Sequence, residues 1–291
     1  MGYSSYDQTS RAARTVMYKS QSTNQKFKQN DIGDMHQLMN PHGVTIREAR
    51  DSELHPESVP IIIGLDVTGS MGYIPENLIE DGLPKIIRFL MDNGVAHPQI
   101  LFLAIGDHHG DRAPLQVGQF ESGDEEMDMW LERVWLEGNG RGNRHESYLL
   151  AWYFAAYHTV TDAFEKRGKK GYIFTIGDEL VHEDLSANAL KSIMGVKEAS
   201  NHTAKELLEE ASKMYNVFHL HVEEGSYGTM PVADWRELMG EGCISLSNYH
   251  DIPSVIAQTI VANEKVLVKQ TIVKTEETQQ KPSSKPNKIT W

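Results

Sequence analysis

Residues 60–78 read PIIIGLDVTGSMGYIPENL, an apolar run that breaks through two glycines and sets Asp66, Thr68 and Ser70 at alternate positions of the turn. A carboxylate and two hydroxyls offer three hard oxygens, a donor set that suits Mg²⁺ with several of its waters retained. A serine between small residues after a strand can also be a nucleophile, as in Gly-x-Ser-x-Gly. Here Thr68 stands where the first small residue belongs, and only polar sequence precedes Pro60, where the hydrolase fold needs several strands. A phosphatase of the Asp-x-Asp type lacks its second acid, because that place is Thr68.

Two further apolar runs end in a carboxylate: LFLAIGD at Asp107 and YIFTIGD at Asp178. The glycine-rich EGNGRGNRHESY adds Asn143 and Glu146 just before an apolar helix. A carboxylate at the mouth of a buried strand is costly unless hydrated, paired or bound to a cation, so three on one rim attract a cation. The single cysteine, Cys243, excludes an internal disulfide and a cysteine-rich zinc centre. GDHHGD brings His108, His109 and Asp111 together in sequence, but adjacent histidines diverge on most backbones, which predicts a solvated turn. His219 and His221 in FHLHV share one strand face and read as hydrogen-bonded core, and the acidic ESGDEEMD reads as a solvated helix start.

The elements that must position these residues alternate along the chain. VPIIIGLDV, PQILFLAIGD, KGYIFTIGDE, NVFHLHV and CISLS have the composition of buried strands, and PLQVGQFE is a shorter alternating run. Between them, PENLIEDGLPKIIRFLMDNG, DEEMDMWLERVWLEG, HTAKELLEEASKMY, VADWRELMG and DIPSVIAQTIVANEKV carry helical signals, while ESYLLAWYFAAYHTVTDAFEKRG is apolar nearly all round. The alternation predicts an α/β fold: a doubly wound, mainly parallel sheet flanked by helices, with one short antiparallel edge strand and ligands at the C-terminal strand ends. Residues 1–54 lack sustained periodicity and read as a polar arm, 55–268 as the folded body, and 269–291 as a flexible tail.

On DVTGS and TIGDE the chain resembles the von Willebrand factor A domain family. Its metal-ion-dependent adhesion site uses Asp-x-Ser-x-Ser after the first strand, a hydroxyl from a later loop, and an aspartate after a following strand. Thr68 replaces the first serine and keeps the hydroxyl; Asp178 fits the last aspartate. By order of elements the similarity runs from Pro60 to Asn263. It implies Mg²⁺ or Mn²⁺ held by Asp66, Thr68, Ser70, Asn143 and Asp178, with Asp107 and Glu146 in support. Thr68 and Ser70 would ligate directly, Asp66 and Asp178 directly or through water, and the remaining position would accept a partner's carboxylate. Where many members have a threonine, this loop reads GNGRGNRHES, closer to a branch with Gly-Gly-Gly-Asp then Glu, and Asn143 supplies a neutral carbonyl in place of that Asp. The resemblance implies a non-catalytic adaptor or scaffold that binds an acidic group of a protein partner, beside an AAA-type ATPase or assembly factor. The competing readings are a metal-assisted hydrolase or phosphoesterase and a structural assembly subunit that uses no metal.

The formal net charge of the 291 residues is −13. Residues 1–34 hold five Lys/Arg against three Asp/Glu and 269–291 hold five against two, leaving 18 basic and 36 acidic residues between them. Such a body repels phosphate backbones, so nucleic acid is not expected as a partner. No stretch approaches the ~20 apolar residues of a membrane span, and a cytoplasmic location is the expectation.

Overall fold

The computed structural model describes residues 4–138 and 144–279, apart from the side chains of Ser70 and of 266–279. Six strands form the central sheet: β1 (Val59–Asp66), β2 (Pro98–Ile105), β3 (Leu115–Val117), β4 (Gly171–Gly177), β5 (Tyr215–Val222) and β6 (Cys243–Leu246). Their spatial order is β6-β5-β4-β1-β2-β3. All pair in parallel except β3, which runs antiparallel to β2 with Leu115 opposite Ile105. The predicted mixed α/β sheet with one antiparallel edge is therefore the observed one. The chain winds outward from β1 through β2 to β3, then returns to the other side of β1 as β4. That reversal is where sheets of this kind place a ligand crevice, at the C-terminal ends of β1 and β4.

Strand periodicity divides the core into two layers. Ile61, Ile63 and Leu65 of β1, with Phe102 of β2 and Phe174 of β4, face one layer. Ile62, Leu101, Leu103 and Ile173 face the other. The first layer is covered by α2 (Leu83–Asp92), α3 (Asp124–Glu132) and the start of α8 (Ile252–Gln279). The second is covered by α4 (Tyr148–Tyr157), α5 (Ala187–Met194), α6 (Ala204–Met214) and α7 (Val232–Met239). Residues 148–155 of α4 are all buried, as an all-round apolar helix between sheet and outer helices must be.

Two stretches differ from the sequence reading. Within the polar 1–54 segment, Gln8–Ser20 form a helix, α1, capped by Asp7, whose carboxylate accepts from the Thr9 and Ser10 amides at 2.7 and 2.9 Å. It is held by charge as well as by apolar contact. Arg11 Nε lies 3.1 Å from Asp128 Oδ1, Arg14 pairs with Asp124 and with Asp128 (2.7 Å), and Tyr18 Oη donates to Glu132 at 2.8 Å. Lys26 is buried between Glu76 and Glu80, 2.7 and 2.6 Å away. The acidic start of α3 is thus no solvated face: Asp124 and Asp128 are buried under α1. Farther along, Arg47–Ala49 pair in parallel with Thr159–Thr161. At the other end α8 runs to Gln279, past residue 268, because its helical pattern is unbroken until the prolines.

Candidate functional site

Asp66 closes β1 and Asp178 directly follows β4, so the two acids flank the reversal point of the sheet. Both are fully buried. The chain after β1 turns sharply: Thr68 is extended (φ −76°, ψ 171°), then Gly69–Met71 form one 3₁₀ turn. This geometry lets the Thr68 amide and hydroxyl both donate to Asp66 Oδ1, at 2.8 and 2.6 Å. Tyr148 Oη, from the first turn of α4, donates to Asp66 Oδ2 at 3.2 Å. Asp178 Oδ2 accepts from the Ser226 amide at 2.6 Å.

Glycines make two of these approaches possible. A Cβ at Gly177 would lie 2.7 Å from Tyr148 Cζ and closer still to its hydroxyl, so only glycine lets the tyrosine cross the end of β4. A Cβ at Gly225 would overlap the Asp178 carboxylate, and the missing side chain lets the loop after β5 close over that acid.

The electrostatics of the rim point to a missing positive charge. Burial, with the Asp178 charge adding to it and the Thr68 and Tyr148 hydrogen bonds opposing it, pushes the Asp66 carboxyl up to about 7. Glu146, buried at the same rim, is pushed up to about 11 by burial first and then by Asp66, Glu179, Asp111 and Asp107. Glu179 rises to about 8 through burial and the charges of Asp66, Asp178, Asp107 and Asp111. Glu146 Oε2 is buried without a hydrogen-bond partner. Among the described residues no lysine or arginine forms an ion pair with Asp66, Glu146 or Glu179. Buried carboxylates at this density hold protons until a cation replaces them. An orphaned carboxylate oxygen beside two acids and a hydroxyl therefore fits a hard divalent ion.

The structure brings Asp66, Thr68, Asp178 and Glu146 to one rim. Ser70 has its backbone in the turn beside them, its side chain being outside the description, and Asn143 lies outside the described residues altogether. Asp107 belongs to the rim but is turned to other work: its Oδ1 takes the His109 amide at 3.0 Å and His182 Nε2 at 2.8 Å. Sequence reading missed Tyr148, Glu179, Ser226 and His182. Glu179 follows Asp178 directly and Tyr148 follows Glu146 by two positions, so both had a positional signal; Ser226, in a loop known only from the fold, had none.

The histidines divide by place. His219 and His221 are buried: His219 Nδ1 meets Thr175 Oγ1 at 3.0 Å, and His221 Nε2 meets the Gly228 carbonyl at 2.6 Å. His108 and His109 do not diverge. The chain folds back at Asp107, whose carbonyl accepts from the Gly110 and Asp111 amides at 3.0 and 2.7 Å, and the two rings lie 4.0 Å apart, tilted by 36°.

No protein-family model and no curated protein matches the chain. Among solved structures, the pilus adhesin SpaC from Lactobacillus rhamnosus GG superposes with TM-score 0.47 at 8% identity, over 74% of this chain and 31% of that one. The hypothetical protein BatB from Bacteroides thetaiotaomicron gives TM-score 0.45 at 18% identity, over 71% of this chain and 99% of that one. An aerotolerance-related membrane protein from Bacteroides fragilis gives 0.39 at 18% identity, over 69% and 97%. This chain thus spans about a third of the adhesin's length.

Proposed function

We propose that the chain is a von Willebrand factor A-type protein-binding module whose crevice between β1 and β4 holds Mg²⁺ or Mn²⁺ and, through it, a carboxylate of a protein partner. The observation that carries the reading is the pair of fully buried acids, Asp66 and Asp178, at the sheet's reversal point, with Thr68 against the first and the orphaned Glu146 oxygen on the same rim. Asp66, Thr68, Ser70 and Asp178 would hold the ion, with Asn143 contributing a carbonyl and Glu146 and Glu179 further negative charge. The bound ion supplies an electrophilic coordination position for an anionic oxygen. Asp66 stays oriented through Thr68 and Tyr148, and Asp178 through the Ser226 amide.

A binding role suits this site better than catalysis. The hydroxyl–imidazole pairs Ser147–His108 (2.7 Å), Thr175–His219 (3.0 Å) and Ser200–His202 (3.0 Å) involve none of the residues proposed to hold the ion. We place the module in the cytoplasm, as an adaptor beside an AAA-type ATPase or assembly factor. Affinity capture from the source cell, run with Mg²⁺, with EDTA and with Asp66→Ala, tests the reading. A partner held only by the parent with Mg²⁺ is expected; binding indifferent to EDTA and to the substitution would indicate a scaffold that uses no metal.

A further inference from the structure

We infer a second metal site, distinct in chemistry from the crevice, formed by His108, His109 and His182 and suited to Zn²⁺ or a similar imidazole-preferring dication. One ring nitrogen from each histidine lies within 4.8 Å of one from each of the others. Ring centroids are 4.0 Å (108–109), 4.7 Å (108–182) and 4.9 Å (109–182) apart. Three nitrogens around a tetrahedral ion at ~2.0–2.1 Å stand about 3.3 Å from one another. Closure by roughly 1.5 Å is therefore needed, and His109, exposed at the tip of the turn, is free to supply it.

The surroundings are arranged as around a ligating imidazole. His182 Nε2 is held by Asp107 Oδ1 at 2.8 Å, and His108 Nδ1 by Ser147 Oγ at 2.7 Å. Each contact fixes one nitrogen of a ring and leaves the other for an ion, the carboxylate–histidine–metal pattern that sets tautomer and ring angle. The backbone is built for it too, since the His108 amide donates to the same Ser147 Oγ at 2.8 Å. His145 stacks on His182 at 5.3 Å, and water would complete the fourth position. Imidazole donors select Zn²⁺, Ni²⁺ or Cu²⁺ over Mg²⁺, whereas the oxygen-only crevice selects the reverse. Asp107 touches both rims, so an ion on the histidines would fix a carboxylate that otherwise adds to the charge on Glu146 and Glu179.

Co²⁺ serves as the probe, because a tetrahedral site gives it visible absorption bands far stronger than octahedral oxygen does. One equivalent of Co²⁺ added to the full chain should develop those bands, and Zn²⁺ should bleach them. His109→Ala, a surface change that leaves the fold intact, and His182→Gln should each weaken binding at least tenfold, and Ser147→Ala by less. Asp66→Asn should keep the bands while losing any response to Mn²⁺. Bands that survive in His109→Ala and His182→Gln, or that vanish in Asp66→Asn instead, overturn the assignment, as does a featureless titration of the parent. Failure of Mn²⁺ binding with the Co²⁺ result intact would strike the proposed function and leave this site standing.

Discussion

Replacing Asp66 by asparagine should make the metal-free protein more stable at alkaline pH while abolishing its response to divalent ions. The native state holds the Asp66 carboxyl at about 7 against 3.8 for the free group, first through burial and then through Asp178. The folded form therefore binds the extra proton across that window. Stability from this group is complete below about pH 4 and is lost as pH rises through about 7. Three pKa units correspond to about 4 kcal/mol, or roughly 8 °C in melting temperature for a chain of this size. Glu179, raised to about 8, adds a decline of the same sign at higher pH. Asparagine keeps the shape and an oxygen for the Thr68 amide and hydroxyl, but carries no charge. In EDTA at about pH 8 the variant should exceed the parent by about 2–4 kcal/mol, and the two should converge near pH 4. Adding millimolar Mn²⁺ at the higher pH should raise the melting temperature of the parent alone. Scanning calorimetry at the two pH values reads all of this. A variant less stable than the parent in EDTA at about pH 8, or one stabilised by Mn²⁺ as the parent is, would refute the reasoning.

Other substitutions test separate parts of the account. Arg11→Ala leaves Asp128 buried against Arg14 alone and should cost about 3–5 kcal/mol in urea unfolding, since Arg11 and Asp128 are almost completely buried; a loss under about 1 kcal/mol would show α1 to be dispensable. Gly177→Ala pushes Tyr148 away from Asp66 and should destabilise by about 1–3 kcal/mol while weakening Mn²⁺ binding; unchanged Mn²⁺ affinity would remove Tyr148 from the site. Asn143→Asp should tighten Mn²⁺ binding by adding a charge near the ion, and Asn143→Ala should weaken it less than Asp66→Ala; calorimetric titration showing no gain for Asn143→Asp would place residue 143 away from the ion.

What could be read in the sequence follows from the range of the forces involved. The strands and α4 were legible because burial on both faces leaves continuous apolar runs, and a carboxylate ending such a run marks the rim. Asp66 and Asp178 were found that way. The crossing of Tyr148 over Gly177 was not, since a tyrosine at the head of an apolar helix looks like packing until β4 and α4 are placed side by side. The N-terminal helix was missed for a related reason: what holds it is charge on α3, more than a hundred residues away, and its own apolar positions are too sparse to show a stripe. The excess of basic residues in 1–34 over an acidic body was the visible trace of that contact. His182 and the turn at Asp107 join only through a tertiary hydrogen bond, which makes a histidine cluster out of residues that, taken singly, read as a solvated turn.

The central claim is that the crevice binds a cation that displaces protons from its acids. Calorimetric titration of Mn²⁺ into the metal-free chain near neutral pH, repeated in buffers of different ionisation enthalpy, measures ion and proton together. The account predicts saturable binding at the crevice with net proton release, absent in Asp66→Asn; no saturation at millimolar Mn²⁺, or the same binding and proton release in that variant, would contradict it.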